Sequence, residues 1–98
     1  MRTSKKKASV LPKNLKNAYW RTVINSLVEF HGISKAEART RVRRLREGYE
    51  DLWYNTEEFD VANRIANAEL DWGSHRDEYF AMKDREYANV RVGNNGRD

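Results

Sequence analysis

The sequence has no cysteine, a single proline and only two histidines in 98 residues. Without cysteine, neither a disulfide nor a thiolate-bound metal can hold the fold together, and the redox compartment stays open. The two histidines, His31 and His75, do not stand at the spacing of a paired-histidine metal motif. We therefore predict that the protein carries no metal ion and no cofactor.

Long apolar runs and catalytic motifs are also missing. No apolar run comes near the roughly 20 residues that a membrane-spanning helix needs, and no apolar segment follows the basic N-terminus as in a secretory signal. The sequence has no glycine-rich phosphate loop and no nucleophile elbow. These absences predict a cytoplasmic protein without a membrane partner and without enzymatic activity.

Positive charge is present in excess, and it is distributed unevenly along the chain. The net charge is +4, but residues 1–49 contain 13 Lys and Arg against 3 Asp and Glu, a balance of +10. Residues 50–98 contain 6 against 12, a balance of −6. Such a split indicates either an anionic partner for the basic half or pairing between the two halves.

Hydrophobic periodicity predicts an all-α fold, a small bundle of three to four helices. We expect a flexible basic tail at residues 1–11, a single helical domain at residues 12–90 and a disordered polar tail at residues 91–98. The apolar residues of the central segment recur every three or four positions, which is the spacing of a helix and not of a strand.

The first helix is predicted from Pro12 or Lys13 to His31, with Gly32 as the left-handed residue that ends it. Its apolar stripe is wider than one buried face requires. Either this helix is central in the domain, or part of its surface binds another protein or a second copy of the chain. The candidate interface residues are Trp20, Ile24, Leu27 and Val28.

The second helix is predicted to begin after Ser34, because Ser34 and Glu37 form the pattern of a capping box. Its apolar seam follows at spacings of four and three residues and consists of Ala38, Val42, Leu45, Tyr49 and Leu52. Asn55 is the predicted cap of a third helix, "EEFDVANRIANAEL", which continues to Leu70. Each of these two helices has one apolar face that can be buried against the first.

A fourth helix is predicted from His75 to Tyr87 or Ala88. The preceding residues 71–74, "DWGS", are predicted to form a turn in which Ser74 caps this helix. Large apolar residues are sparser in this segment than in the first three helices.

The segment "TRVRRLRE", residues 40–47, concentrates positive charge on the second helix. One interpretation is a surface for nucleic acid or an acidic partner, because stacked cations become favourable beside phosphates or carboxylates. The other is a solvated face whose arginines pair with acidic residues one turn away or with the acidic second half. The pairs predicted at one turn are Glu37–Arg41, Arg43–Glu47 and Arg46–Glu50. The candidate binding residues are Lys5, Lys6, Lys7, Lys35, Arg39, Arg41, Arg43, Arg44 and Arg46.

Two resemblances bear on function. The segment "LVEFHGISKAEARTRVRRL", within residues 27–46, resembles a helix-turn-helix, with residues 32–34 in its turn and Ala38 at the small inward position. It departs from that motif at Arg41, where the recognition helix has an apolar packing residue. The whole chain is similar to short helical proteins of phages and other mobile elements, in which segments such as "FDVANRIA" recur. That resemblance implies a role in inhibiting a host defence complex, as anti-CRISPR proteins do, or in modulating host DNA transactions.

These observations predict a non-enzymatic basic binding protein that engages DNA, RNA or a host nucleoprotein complex through its arginine-rich helix. The alternative is a protein-interaction module or an inhibitor of a host defence complex, as a monomer or a homodimer, that does not touch nucleic acid. Four aromatic residues are expected to be either core or a base-stacking platform, namely Tyr49, Trp53, Tyr54 and Phe59.

Overall fold

The computed structural model describes the backbone of residues 12–97 and their side chains other than those of residues 48, 49, 51 and 89–97. This part of the chain contains no strand, so the predicted all-α class is confirmed. Its helical elements are α1 (Lys13–His31), α2 (Lys35–Tyr49), a 3₁₀ helix (Glu50–Trp53), α3 (Glu58–Ala66) and α4 (Trp72–Arg97).

Helix α1 is the centre of the fold, because α2, α3 and α4 all pack against it. Its wide apolar stripe is therefore core. Trp20 and Leu27 are 2% and 0% exposed, so the prediction that they form a protein interface is wrong. Ile24 and Val28, the other two candidates, are half-buried and pack against the same core.

The corner between α1 and α2 forms as the sequence predicts. Gly32 has a φ of 69°, and the amides of Gly32 and Ile33 both donate to the carbonyl of Leu27. Ser34 Oγ accepts a hydrogen bond of 3.1 Å from the Glu37 amide, which confirms the cap. The Glu37 carboxylate accepts from Arg41 Nε at 2.9 Å, so it serves an ion pair along the helix.

Helix α3 is shorter at both ends than the sequence predicts. Residues 53–56 form a turn closed by the Thr56 amide and the Trp53 carbonyl, so Glu57 precedes the helix and the predicted cap, Asn55, lies outside it. Asn67 adopts the left-handed conformation with a φ of 59°. Its amide donates to carbonyls of the last turn, which ends the helix before Leu70.

Helix α4 begins three residues earlier than predicted. Asp71 Oδ2 accepts hydrogen bonds from the amide and the hydroxyl of Ser74, at 3.0 and 3.1 Å. Asp71 is thus the capping residue, and the predicted turn at residues 71–74 is the start of the helix. The helix also continues to Arg97, beyond the predicted end at Tyr87 or Ala88. The disordered tail expected at residues 91–98 stays a prediction.

A buried acidic residue joins α3 to α4. Glu58 is 2% exposed and accepts hydrogen bonds from the hydroxyls of Tyr79 and Tyr87. Lys83 Nζ lies 3.1 Å from Glu58 Oε1 and 2.6 Å from Glu57 Oε2. A buried carboxylate must be paired and hydrogen-bonded, and these three partners on α4 satisfy it.

Candidate nucleic-acid interface

Helix α2 buries a narrow face and exposes the rest. Ala38 and Val42 are buried and Leu45 is half-buried, as the predicted seam requires, while the side chain of Tyr49 lies outside the described part. Leu52, the last seam residue, is 67% exposed, so its predicted burial is wrong. The chain changes to a 3₁₀ helix at Glu50, and the larger rotation per residue turns Leu52 away from the core.

Three cations form a line along one flank of α2. Lys35, Arg39 and Arg43 stand on successive turns, and all three are exposed. We call these three residues the basic ridge. Among the described side chains, none of the three has a carboxylate within 4.0 Å, and the same holds for Arg44. The predicted pair between Arg43 and Glu47 therefore does not form in this part of the chain.

Two arginines of the cluster do pair with carboxylates. Arg41 Nε lies 2.9 Å from Glu37 Oε2, and Arg46 lies 2.9 Å from Glu50 Oε2, which confirms both predicted pairs. Arg41 also donates to the carbonyl of Ile65, so it faces α3. The predicted binding residues are thus divided: Arg39, Arg43 and Arg46 lie on the α1 side of the helix, and Arg41 faces α3.

A groove lies between α1 and α2. Its volume is about 530 Å³. Its apolar lining residues are Trp20, Ile24 and Val42. Its charged lining residues are the cations Arg39, Arg43 and Arg46 and the carboxylates Glu47 and Glu50. The arginine cluster is therefore not only a convex charged surface, because part of it forms one wall of a groove with an apolar lining.

A chain of hydrogen bonds fixes Arg46 in this groove. Trp20 Nε1 donates to the Tyr54 hydroxyl at 2.8 Å, and that hydroxyl donates to Glu50 Oε2 at 2.6 Å. Arg46 donates to the same Oε2 at 2.9 Å, and its Cζ lies 5.4 Å from the centre of the Trp20 ring. The hydrogen bond from Tyr54 lowers the pKa of the Glu50 carboxyl, so this group stays ionised beside Arg46. Burial raises the pKa of Tyr54 to about 12, so its hydroxyl stays a donor.

This network is the part of the site that sequence reasoning missed. Trp20 and Tyr54 are 34 residues apart, and no local pattern indicates that they meet. The available signal was weaker: Arg46, Glu50 and Tyr54 stand four residues apart along the chain, which is the spacing of neighbours on one helix face.

The acidic second half forms its ion pairs away from the basic ridge. Glu86 pairs with Arg21 of α1 at 2.8 Å and accepts a hydrogen bond from Asn25. Glu57 and Glu58 pair with Lys83. Of the arginine cluster, only Arg46 pairs with a carboxylate of this half within the described side chains, through Glu50. Within the described side chains, internal pairing thus leaves the ridge uncompensated.

The two histidines and Phe59 contact other residues of the fold. His31 Nε2 lies 2.9 Å from Asn63 Oδ1, and the ring of His75 packs 5.2 Å from that of Phe30. Phe59 is 1% exposed, so the predicted base-stacking platform does not form with it. Within the described residues, no three His, Cys, Asp or Glu side chains are placed to hold a metal ion.

Among the described helices, none is both long and apolar enough to cross a bilayer.

The predicted basic arm, Lys5, Lys6 and Lys7, lies outside the described residues. Comparisons of the chain with protein-family models, curated proteins and solved structures find no match.

Proposed function

We propose that this chain is a non-enzymatic binding protein that holds the phosphate backbone of nucleic acid through helix α2. The observation that carries this proposal is the basic ridge, Lys35, Arg39 and Arg43, exposed on successive turns without a carboxylate partner in the described residues. Like charges one turn apart destabilise a helix by roughly 0.2–0.5 kcal/mol per pair. Phosphates offset that repulsion, and the planar guanidinium groups suit their geometry.

Binding at the ridge relies on charge and carries no sequence preference of its own. Each phosphate that a cation neutralises releases counterions, so the affinity falls as salt rises. Arg44 and the N-terminal Lys5, Lys6 and Lys7 add further cations in this account. The resemblance to short phage proteins supports a setting in which the nucleic acid belongs to a host nucleoprotein complex.

The proposal is tested by charge reversal on the ridge. Fluorescence anisotropy with a labelled oligonucleotide at low salt measures the affinity of the wild type and of the double variant Arg39→Glu/Arg43→Glu. We expect a loss of at least tenfold, with helicity unchanged by circular dichroism. The matched control is Arg76→Glu/Arg85→Glu, which reverses two exposed charges on α4 and leaves affinity within about twofold. Equal losses in both variants, or no binding by the wild type, contradict the proposal.

A second candidate function is a protein-interaction module, and one observation favours it. Leu52 is 67% exposed directly after α2, beside the arginine-rich helix. An exposed leucine next to unpaired cations suits an acidic protein partner with an apolar side chain. In this account Leu52→Asp abolishes association with a partner or with a second copy of the chain. The wild type and the ridge variant, Arg39→Glu/Arg43→Glu, then bind nucleic acid equally weakly.

A further inference from the structure

We infer that the groove between α1 and α2 binds single-stranded nucleic acid, with an unpaired base against Arg46 and phosphates on Arg39 and Arg43. This inference rests on the proposed function and adds which form of nucleic acid the site takes. Three features of the groove carry it: the direction of the ridge, the fixed position of Arg46, and the apolar lining.

Two residues of the ridge, Arg39 and Arg43, line the groove, and Glu47 lies at its border. With Ala38 and Val42 buried, a rotation of 100° per residue places Ala36, Thr40, Arg44 and Glu47 furthest from the core. Arg44 and Glu47 are the two charged residues of this outward side, and their charges are opposite. A helix that enters the major groove of a duplex contacts it with its outward side. The charge on α2 therefore suits a strand that lies along its flank.

Arg46 provides a surface on which a base can stack. Its guanidinium packs over Trp20 on one side and is held at its edge by Glu50, yet its side chain is still 33% exposed and lines the groove. Unpaired bases stack on arginine planes as they do on aromatic rings. Because Glu50 and Trp20 already hold the guanidinium, little side-chain entropy is lost when a base covers its remaining surface.

Apolar residues also line the groove, which a phosphate backbone alone does not require. Ile24 is half-buried there, beside Val42 and Trp20, which are 3% and 2% exposed. An unpaired base can cover the exposed atoms of Ile24, whereas a duplex keeps its base faces stacked inside. Arg43 and Arg46 are three residues apart, about 4.5 Å along the helix axis. A phosphate on one and a base on the other are thus within reach of a single nucleotide.

The test compares three ligands on the wild-type protein: a single strand of about 12 nucleotides, the same strand with abasic sites, and the corresponding duplex. The two single strands carry the same phosphates, and the duplex carries about twice as many, so charge alone would favour the duplex. Anisotropy titrations at fixed salt are expected to give about tenfold tighter binding of the intact strand than of the abasic strand or the duplex. The variant Arg46→Lys keeps the charge and removes the plane. It is expected to lose this tenfold preference and to bind the abasic strand as before.

The matched control is Arg64→Lys, which makes the same change on an exposed arginine of α3 whose Cζ lies 5.6 Å from the centre of the Trp53 ring, outside this groove. It should leave all three affinities unaltered. Equal wild-type affinities for the intact strand, abasic strand and duplex overturn the inference and leave the proposed function standing. Failure to bind any of them at low salt overturns both. Tighter binding of poly-glutamate than of the intact strand also overturns the inference, because the groove then belongs to an acidic protein segment.

Discussion

Lys83 Nζ lies 3.1 Å from Oε1 of Glu58, a residue that is only 2% exposed. This pair joins α4 to α3, and the hydroxyls of Tyr79 and Tyr87 complete the hydrogen bonds of the same carboxylate. Glu58 thus gathers three side chains of α4 around one buried charge, so a single substitution there tests how the fourth helix is held.

The variant Glu58→Ala should be strongly destabilised. It leaves Lys83 with one carboxylate, Glu57, and removes an acceptor from the buried Tyr79 and the half-buried Tyr87. Breaking a buried pair in this way costs about 3–5 kcal/mol of the free energy of unfolding. Urea denaturation followed by circular dichroism measures it. The exposed Glu69→Ala is the control, with an expected change within about 0.5 kcal/mol. A loss below about 1 kcal/mol in Glu58→Ala would show that the cluster does not hold α4.

Stability should fall on the alkaline side. Burial raises the pKa values of Tyr79 and Tyr87 above the ordinary 10.0. Burial alone would lower the pKa of Lys83, but its hydrogen bond to Glu57 and the charge of Glu58 raise it above 10.5. A group with a raised folded pKa contributes stability that is full below its unfolded pKa and is lost as pH rises through the folded value. We therefore expect the free energy of unfolding to be flat near about pH 8 and to decline above about pH 10.

Urea denaturation at a series of pH values measures this decline, and absorbance of ionised tyrosine follows the same titration. The variant Tyr87→Phe removes one of the groups whose pKa is raised, so its decline should be shallower than that of the wild type. A free energy of unfolding that rises above about pH 10 would be the wrong sign for this cluster.

The variant Tyr54→Phe should destabilise the protein and loosen Arg46. It leaves Trp20 Nε1 without its acceptor and Glu50 without one donor. An unsatisfied buried donor costs about 1–3 kcal/mol. Urea denaturation gives this value, and the preference of the variant for an intact strand over an abasic strand reports the position of Arg46. An unchanged free energy of unfolding would mean that the Trp20 indole finds another partner.

Two substitutions test the helix caps: Asp71 caps α4 in the structure, and Asn55 was the predicted cap of α3 but lies outside it. Asp71→Ala removes the acceptor for the amide and hydroxyl of Ser74 and should cost about 1 kcal/mol. Asn55→Ala alters an exposed residue outside α3, and we expect a change within about 0.5 kcal/mol. Thermal unfolding of both variants provides the comparison. A loss of about 1 kcal/mol for Asn55→Ala would show that Asn55 does cap α3, and an unchanged stability of Asp71→Ala would show that Asp71 does not cap α4.

The sequence predicted the first half of the fold well, because local chemistry determines it. Gly32 and Ser34 fix the position of the corner between α1 and α2, so α1 has the predicted bounds and α2 begins where predicted. The end of α2 differs, because the predicted seam continued to Leu52. In the second half several residues compete for the same role. Asp71 and Ser74 are both good caps, and Asn67 can end a helix or continue it. Tertiary packing decides among them, so the starts of α3 and α4 were misplaced.

The site was predictable in composition but not in geometry. The arginines of α2 are visible in the sequence, and two of their ion pairs follow from helical spacing. The groove depends on α1 packing beside α2, and the position of Arg46 depends on the contact between Trp20 and Tyr54. Such contacts join residues that are distant in sequence. The same long-range packing buries Trp20 and Leu27. From the sequence alone, these two residues fitted a protein interface as well as they fitted the core.

The most direct test of the central claim is the salt dependence of oligonucleotide binding. The logarithm of the association constant is plotted against the logarithm of the salt concentration for the wild type, Arg39→Gln/Arg43→Gln and the control Arg76→Gln/Arg85→Gln. If the basic ridge contacts phosphates, the wild-type plot is a straight line, and the ridge variant loses about 1.4 units of slope on single strands. The control keeps the wild-type slope. Identical slopes for the wild type and the ridge variant would show that Arg39 and Arg43 do not touch the nucleic-acid backbone.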